Sequence, residues 1–253
     1  MSLALYPAIN LGKTELKIRE SISRLSTGLK ILGESSGSLS QGITLNAEAK
    51  SNQSAISASE VGIDLLLAAE AALIELASLA ERLREIGIAD TDPTNDANDT
   101  AALNAEATSV SDTIDDIVTA LKFNGVAILG TSSKTFAVVK DQDGNTTSVK
   151  TTDGITATNV SDATNANTAA DTLLGEITES QGDVSAGIAT LGAYRNASTS
   201  MKAIQLQSAS RLMDTNFALE TAKLLKNKLI SSYANNMISE ANKIEKDKLI
   251  TLA

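Results

Sequence analysis

Apolar positions in this chain recur at helical intervals almost from end to end. In residues 1–32, Leu11, Ile18, Ile22, Leu25, Leu29 and Leu32 fall at three-, four- and seven-residue steps. That spacing holds one narrow apolar stripe on one face of a helix, the geometry of a coiled-coil seam. The last thirty residues answer it with Leu225, Leu229, Tyr233, Met237, Ala241 and Ile244. Gly33 and the run Glu34-Ser35-Ser36-Gly37-Ser38 predict a break after the first seam, because Gly and Ser favour turns over helix interiors.

Between the seams the pattern predicts three more helices and one β element. The second helix runs from about Leu45 to Ala89, with Val61, Leu65, Ala68, Ala72, Leu76, Leu79, Leu83 and Ile86 as its stripe. Asp90 to Asp99, with Pro93 and two Asn, predicts a surface loop. Leu103, Ala107, Val110, Ile114, Ile117 and Leu121 form an uninterrupted heptad, so a third helix covers Ala101 to Lys122 and stops at the turn dipeptide Asn124-Gly125. From Val126 to Asn159 the period shortens. Phe136-Ala137-Val138-Val139 and Thr147-Ser148-Val149 flank Asp141-Gln142-Asp143-Gly144-Asn145, which predicts a β-hairpin. A helical return starts near Ala163 with Leu173, Ile177, Val184, Ile188 and Leu191, interrupted by Gln181 and Arg195, and leads into the terminal seam. The fold class expected is mainly α: a long coiled-coil-like helical hairpin or bundle with a small β-hairpin at the tip and both chain ends together.

Two narrow seams separated by the whole chain are hard to bury within one globule. They suit pairing with each other and with further copies of the same chain.

Composition sharpens this. There are no Trp, three Phe and three Tyr in 253 residues, so the interior must be built from Leu, Ile, Val and Ala, which favours helix on helix. No Cys means no disulfide, thiolate metal site or thiol nucleophile; no His removes the commonest general base and transition-metal ligand. The chain is therefore expected to be no enzyme and to need no cofactor. Residues 1–32 hold five basic against two acidic residues and residues 223–253 six against three, while the whole chain carries −10, so the middle is strongly acidic. That balance argues against nucleic-acid binding, which needs a basic surface. No apolar run approaches a membrane span, and Met1 to Gly12 has no basic leader followed by a long apolar core. The Asp141–Asn145 run imitates half a calcium loop, but Thr152 stands where the loop's closing glutamate would fall. Asp115-Asp116 is explained as a solvated helix face, and N-x-S/T triplets such as Asn98-Asp99-Thr100 carry little weight.

Seven separated blocks resemble bacterial flagellin in the correct order. Ser23-Arg24-Leu25-Ser26-Thr27-Gly28-Leu29-Lys30-Ile31 resembles that family's E-R-L-S-S-G-L-R-I block. Gly62-Ile63-Asp64-Leu65 and Ala69-Glu70-Ala71-Ala72-Leu73 resemble G-I-S-L and A-E-G-A-L, and Glu81-Arg82-Leu83-Arg84-Glu85 resembles R-I-R-E-L. Leu103-Asn104-Ala105-Glu106 and Phe123-Asn124-Gly125-Val126 resemble L-Q-A-E and F-N-G-V. Ser210-Arg211-Leu212-Met213-Asp214-Thr215-Asn216-Phe217-Ala218-Leu219-Glu220-Thr221 resembles S-R-I-E-D-A-D-F-A-x-E-T. Two departures stand out. Glu34-Ser35-Ser36-Gly37-Ser38 replaces D-D-A-A-G after the first helix, and Lys243-Ile244-Glu245-Lys246-Asp247-Lys248 replaces an uncharged Gln-rich tail.

The resemblance implies an architecture and a set of partners. Residues 1–43 and 214–253 would be terminal helices of the filament's inner core, disordered in the free subunit and folding on assembly. Residues 44–213 would be a helical second layer with a small β element at about 126–160. With an insert of only some 35 residues, no large outer domain is expected. The self-assembly seam would comprise Ile18, Ile22, Leu25, Leu29, Leu32, Leu225, Leu229, Tyr233, Met237 and Ile244. Arg82, Ile86 and Glu106 fall where some flagellins meet an innate immune receptor, although ordinary helix-face packing explains them equally well. The Ser/Thr-rich stretch Thr131 to Thr168 lies where such proteins often carry O-linked sugar, with plain loop solvation the simpler reading. Implied partners are further copies of the chain, the flagellar export apparatus with an export chaperone, and filament cap and junction proteins. The implied location is the extracellular flagellum, reached without a cleaved signal peptide.

The function expected is therefore a structural subunit that polymerises head to tail into the bacterial flagellar filament and transmits motor torque for motility. Two alternatives remain at the level of sequence: a hook-filament junction protein of the same superfamily, and a secreted membrane-active factor using its basic amphipathic ends.

Overall fold

The structure, a computed structural model, describes residues 5–30, 36–156 and 160–252. Helices make up most of it. In chain order they are α1 (Leu5–Thr27), α2 (Ser36–Ala89), α3 (Ala97–Ala120), α4 (Ala163–Met213) and α5 (Phe217–Leu252), with strands β1 (Lys122–Phe123), β2 (Val126–Ala127), β3 (Lys134–Val139) and β4 (Thr146–Thr152) between α3 and α4. The chain divides into two compact units, one comprising residues 1–47 and 204–253, the other Glu48–Ala203. The expected mainly helical, coiled-coil-like fold with a small antiparallel hairpin is what the chain adopts.

In the Glu48–Ala203 unit, α2 and α4 run antiparallel: Gly62 faces Leu191, Leu66 faces Gly187, and Gly87 lies against Asn167. A Cβ on Gly87 would stand 2.4 Å from the Asn167 backbone nitrogen, so only glycine allows this approach. The fully buried residues Leu66, Leu73, Leu76, Leu83, Ile114, Leu173, Ile177 and Leu191 join α2, α3 and α4 into one core. The inner stripe of α2 is Leu66, Ala69, Leu73, Leu76, Ala80 and Leu83. Five of the eight predicted stripe residues stand one residue out of phase with it: Val61 is exposed, and Leu65, Ala68, Ala72 and Leu79 flank the core half-buried. The run Leu65 to Leu73 is apolar on nearly every face, so spacing alone could not select the inward line.

Two helices begin earlier than predicted. Ser36-Gly37-Ser38 is the first turn of α2 and not a break; the Gly and Ser penalties of up to about 1 kcal/mol each are small for a helix of 54 residues. Gly33, Glu34 and Ser35 lie outside the described residues. For α3, Asp96 and Asp99 close a capping box. The Asp96 carboxylate accepts from the Asn98 and Asp99 backbone N–H groups, and Asp99 accepts from the Asp96 N–H. Three residues of the predicted loop, Ala97 to Asp99, are thereby drawn into the helix behind the Asp96 cap.

At its far end α3 stops before a tight hairpin in which Lys122 pairs Ala127 and Phe123 pairs Val126. Asn124 and Gly125, at φ 49° and 81°, supply the two left-handed residues of a type I′ turn. The predicted larger hairpin spans β3 and β4 in antiparallel register, with a bulge between Lys134 and Thr135. Its loop folds on Asp141, whose carboxylate accepts from the Asp143 and Asn145 N–H groups and the Asn145 amide. Thr152 meets Ser180 of α4 at 3.1 Å, and Lys150 sits 2.6 Å from Asp153 and 3.5 Å from Asp183. Ser180 is the polar residue in the core line of α4, while Gln181 and Arg195, which interrupt the apolar pattern in the sequence, are half-buried at its side.

Candidate assembly surface

In the unit formed by the chain ends, α1 and α5 pack along each other in antiparallel sense. The α1 line turned inward is Leu11, Thr14, Ile18, Ser21 and Leu25, at alternating three- and four-residue steps. On α5 the corresponding line is Glu220, Leu224, Asn227, Ser231, Ala234 and Ile238. Both have coiled-coil spacing, yet five of their eleven members are polar. The larger apolar side chains of α5 point the other way: Leu229, Tyr233 and Met237 are 61 %, 69 % and 63 % exposed, with Leu225, Ile230, Ile244 and Ile250 also exposed. On α1, Leu16, Ile22 and Leu29 are exposed as well.

The expected seam residues therefore separate into two sets. Ile18 and Leu25 lie half-buried in the line α1 turns to α5. Ile22, Leu29, Leu225, Leu229, Tyr233, Met237 and Ile244 face outward in the single chain. Leu32 lies outside the described residues.

What joins α1 to α5 is a buried polar cluster that the apolar pattern could not announce. Glu220, 4 % exposed, accepts from the Ser21 hydroxyl at 2.7 Å and from the Arg24 guanidinium at 3.5 Å, and lies 3.5 Å from the Lys223 amine. Burial pushes its carboxyl upward, but the Ser21 hydrogen bond, Lys223 and Arg24 together outweigh it and hold the group below its ordinary value. Glu20 approaches Arg24 at 3.7 Å from the preceding turn.

The chain termini of these helices are tied by the same sequence blocks. Gly28, at φ 71°, ends α1 with its N–H on the Arg24 carbonyl. Beyond it the Thr215 N–H donates to the Gly28 carbonyl and the Lys30 N–H to the Met213 carbonyl, both at 2.8 Å, forming the bridge between Leu29 and Asp214. The Lys30 amine reaches the Arg211 and Leu212 carbonyls at the end of α4, where a cation complements the helix dipole. Asn216 caps α5 through the Leu219 N–H. Blocks 23–31 and 210–221, remote in sequence, are thus each other's structural partners.

Arg82 and Glu106 also meet, at 2.9 Å, with Glu85 on the other side of the guanidinium. The hydrogen bond to Glu106, then that to Glu85, holds Arg82 more firmly protonated than usual. Ile86 is 1 % exposed inside the helical core and is not part of that surface. Among the described residues no group of three metal-ligating side chains occurs, and no helix is long and apolar enough to cross a membrane.

Comparison with known proteins agrees with the block-by-block resemblance. The chain is 25 % identical over 280 residues to flagellin FlaB2 of Treponema pallidum (strain Nichols), covering 98 % of this chain and 97 % of that one. It is 27 % identical over 255 residues to a flagellin of Halalkalibacterium halodurans, covering 92 % and 91 %. A crystal structure of Bacillus cereus flagellin aligns over 55 % of this chain and 86 % of its own at 25 % identity and a TM-score of 0.46. The family model for the bacterial flagellin N-terminal helical region matches residues 2–134, more than half of the chain, and on that match the chain belongs to the bacterial flagellin family.

Proposed function

We propose that this flagellin is the structural, non-catalytic subunit of an extracellular filament used for motility, polymerising through its paired terminal helices. One observation carries the reading: α5 presents Leu225, Leu229, Tyr233 and Met237 outward while much of the face toward α1 is polar. Such a pair leaves its best apolar surface to water, and copies of the chain stacked along one another would remove it. Each fully covered Leu or Met would contribute roughly 1.5–3 kcal/mol. A head-to-tail contact that does not close on itself generates a helical polymer from one repeated interface.

In this arrangement residues 1–43 and 214–253 form the inner layer and residues 44–213 the layer around it. Delivery by a flagellar export apparatus with a chaperone, and contact with cap and junction proteins at the filament ends, belong to the same proposal. A host receptor meeting the monomer at the α2 and α3 surface would find the Arg82–Glu106 pair and not Ile86. Electron microscopy of the purified chain tests the reading. Long uniform fibres support it. Monomers that bind anionic liposomes and form no fibres at any salt concentration would overturn it in favour of a membrane-active factor.

A further inference from the structure

The two units carry opposite charge. Residues 1–47 and 204–253 hold twelve basic and eight acidic residues, a balance of +4; residues 48–203 hold nine and twenty-three, a balance of −14. Half of that positive surplus lies in a cleft of about 380 Å³ between α1 and α5, where Lys17, Arg24, Lys223 and Lys226 face Glu20 and Glu220. Both carboxylates already have partners: Glu220 is held by Ser21, Arg24 and Lys223, and Glu20 lies against Arg24. Among the described residues no acidic group pairs with Lys17 or Lys226. The exposed side chain of Ile230 lines the cleft beside Lys226. The site therefore asks for an occupant with free carboxylates next to an apolar side chain, larger than a single ion.

The other unit carries such a surface. Glu60, Leu67, Ile74 and Glu81 on α2 stand seven residues apart, which places them in one line on one helix face, and all four are exposed. Glu75 lies beside this line, also exposed, and none of these three glutamates has an ion-pair partner among the described residues. We propose that the cleft formed by Lys17, Arg24, Lys223 and Lys226 receives the Glu60–Leu67–Ile74–Glu81 face of α2 from a second copy of the chain. The contact rests on the self-assembly reading and specifies part of its interface. Lys17 and Lys226 take the neighbour's carboxylates while Ile230 covers Leu67 or Ile74. Because Lys17, Lys226 and the three glutamates have no ion-pair partner among the described residues, their main effect is to steer the incoming copy into register.

Zero-length carbodiimide coupling reads the contact directly, since it joins a lysine amine to a carboxylate only where the two touch. Fibres are grown from an equal mixture of unlabelled and ¹⁵N-labelled full-length chain, coupled, digested and analysed by mass spectrometry. Mixed-isotope peptides linking Lys17 or Lys226 to Glu60, Glu75 or Glu81, absent from the monomer, are expected. Links from these lysines only to acids of their own chain, or to acids outside α2, would overturn the proposal while leaving polymerisation intact. Failure of the wild-type chain to form fibres would overturn both this contact and the assembly reading. Independently, Lys17→Gln with Lys226→Gln should leave the circular dichroism of the monomer unchanged and slow seeded elongation about tenfold. Elongation at the wild-type rate would contradict the steering role.

Discussion

Ser21 donates to Glu220 at 2.7 Å across 199 positions of sequence, in a seam where both residues are buried. Residues so distant in the chain can be placed together only by the pairing of α1 with α5, so this bond reports the register of the two helices. An apolar seam with sliding freedom would tolerate several registers; a buried carboxylate with three specific partners tolerates one. Replacing Glu220 by Ala should strand Arg24 and Lys223 beside each other and cost roughly 3 kcal/mol in the α1–α5 unit. Amide exchange over residues 217–252 checks this: protection should fall in E220A and be largely retained in E220Q, which keeps an acceptor for Ser21.

Acid should act through the same group. The folded-state value of Glu220 is depressed relative to the unfolded chain. Its stabilising contribution is therefore fully present above the ordinary carboxylate value of about 4.3 and is lost as pH falls through the lower folded value. The charged groups in contact with it are Arg24 and Lys223, with Glu20 on the other side of Arg24 and Lys17 and Lys226 lining the same cleft. A pH titration of α5 exchange protection should be flat from neutrality to about pH 5 and drop below about pH 4; E220Q should flatten most of that drop.

Leu229 is exposed on α5, so Leu229→Asp should change monomer stability by no more than about 0.5 kcal/mol. In a polymer that buries this face the same aspartate would be desolvated without a partner, at a cost of several kcal/mol. Thermal melting should be nearly unchanged while pelletable polymer is lost. Normal polymer yield would show that the face stays in water.

Packing of α2 on α4 gives a prediction with no bearing on assembly. Gly87→Val places a branched side chain where even a Cβ meets the Asn167 backbone at 2.4 Å. One helix must shift, which should cost about 1–3 kcal/mol and lower the melting temperature of the Glu48–Ala203 unit. Calorimetry on the full chain measures it.

Spacing alone revealed the helical segments, the β3–β4 hairpin and the start of α4, because those elements carry strong apolar or alternating periods, while the break between α4 and α5 at residues 214–216 went unread. It misplaced the inward line of α2, where Leu65-Leu66-Leu67-Ala68-Ala69 offers apolar residues to every side. On α5 the apolar line read from the sequence is real, but the line turned toward α1 runs through Glu220, Asn227, Ser231 and Ala234. A hydrophobicity pattern cannot find a seam built from small and polar groups. The Arg24–Glu220 link was visible only indirectly, as two members of blocks resembling one family. The Asp96–Asp99 pair could have been read as a capping box and would have moved the start of α3 to its observed place.

Hydrogen–deuterium exchange of α5, compared between the free chain and its pelleted polymer, tests the central claim most directly. If stacked copies cover the outward line of Leu225, Leu229, Tyr233 and Met237, amides across residues 217–252 should exchange at least about a hundredfold more slowly in the polymer, as local opening becomes coupled to subunit release. Equal exchange in the two states would mean that α5 faces water in both, contradicting assembly through the terminal helices.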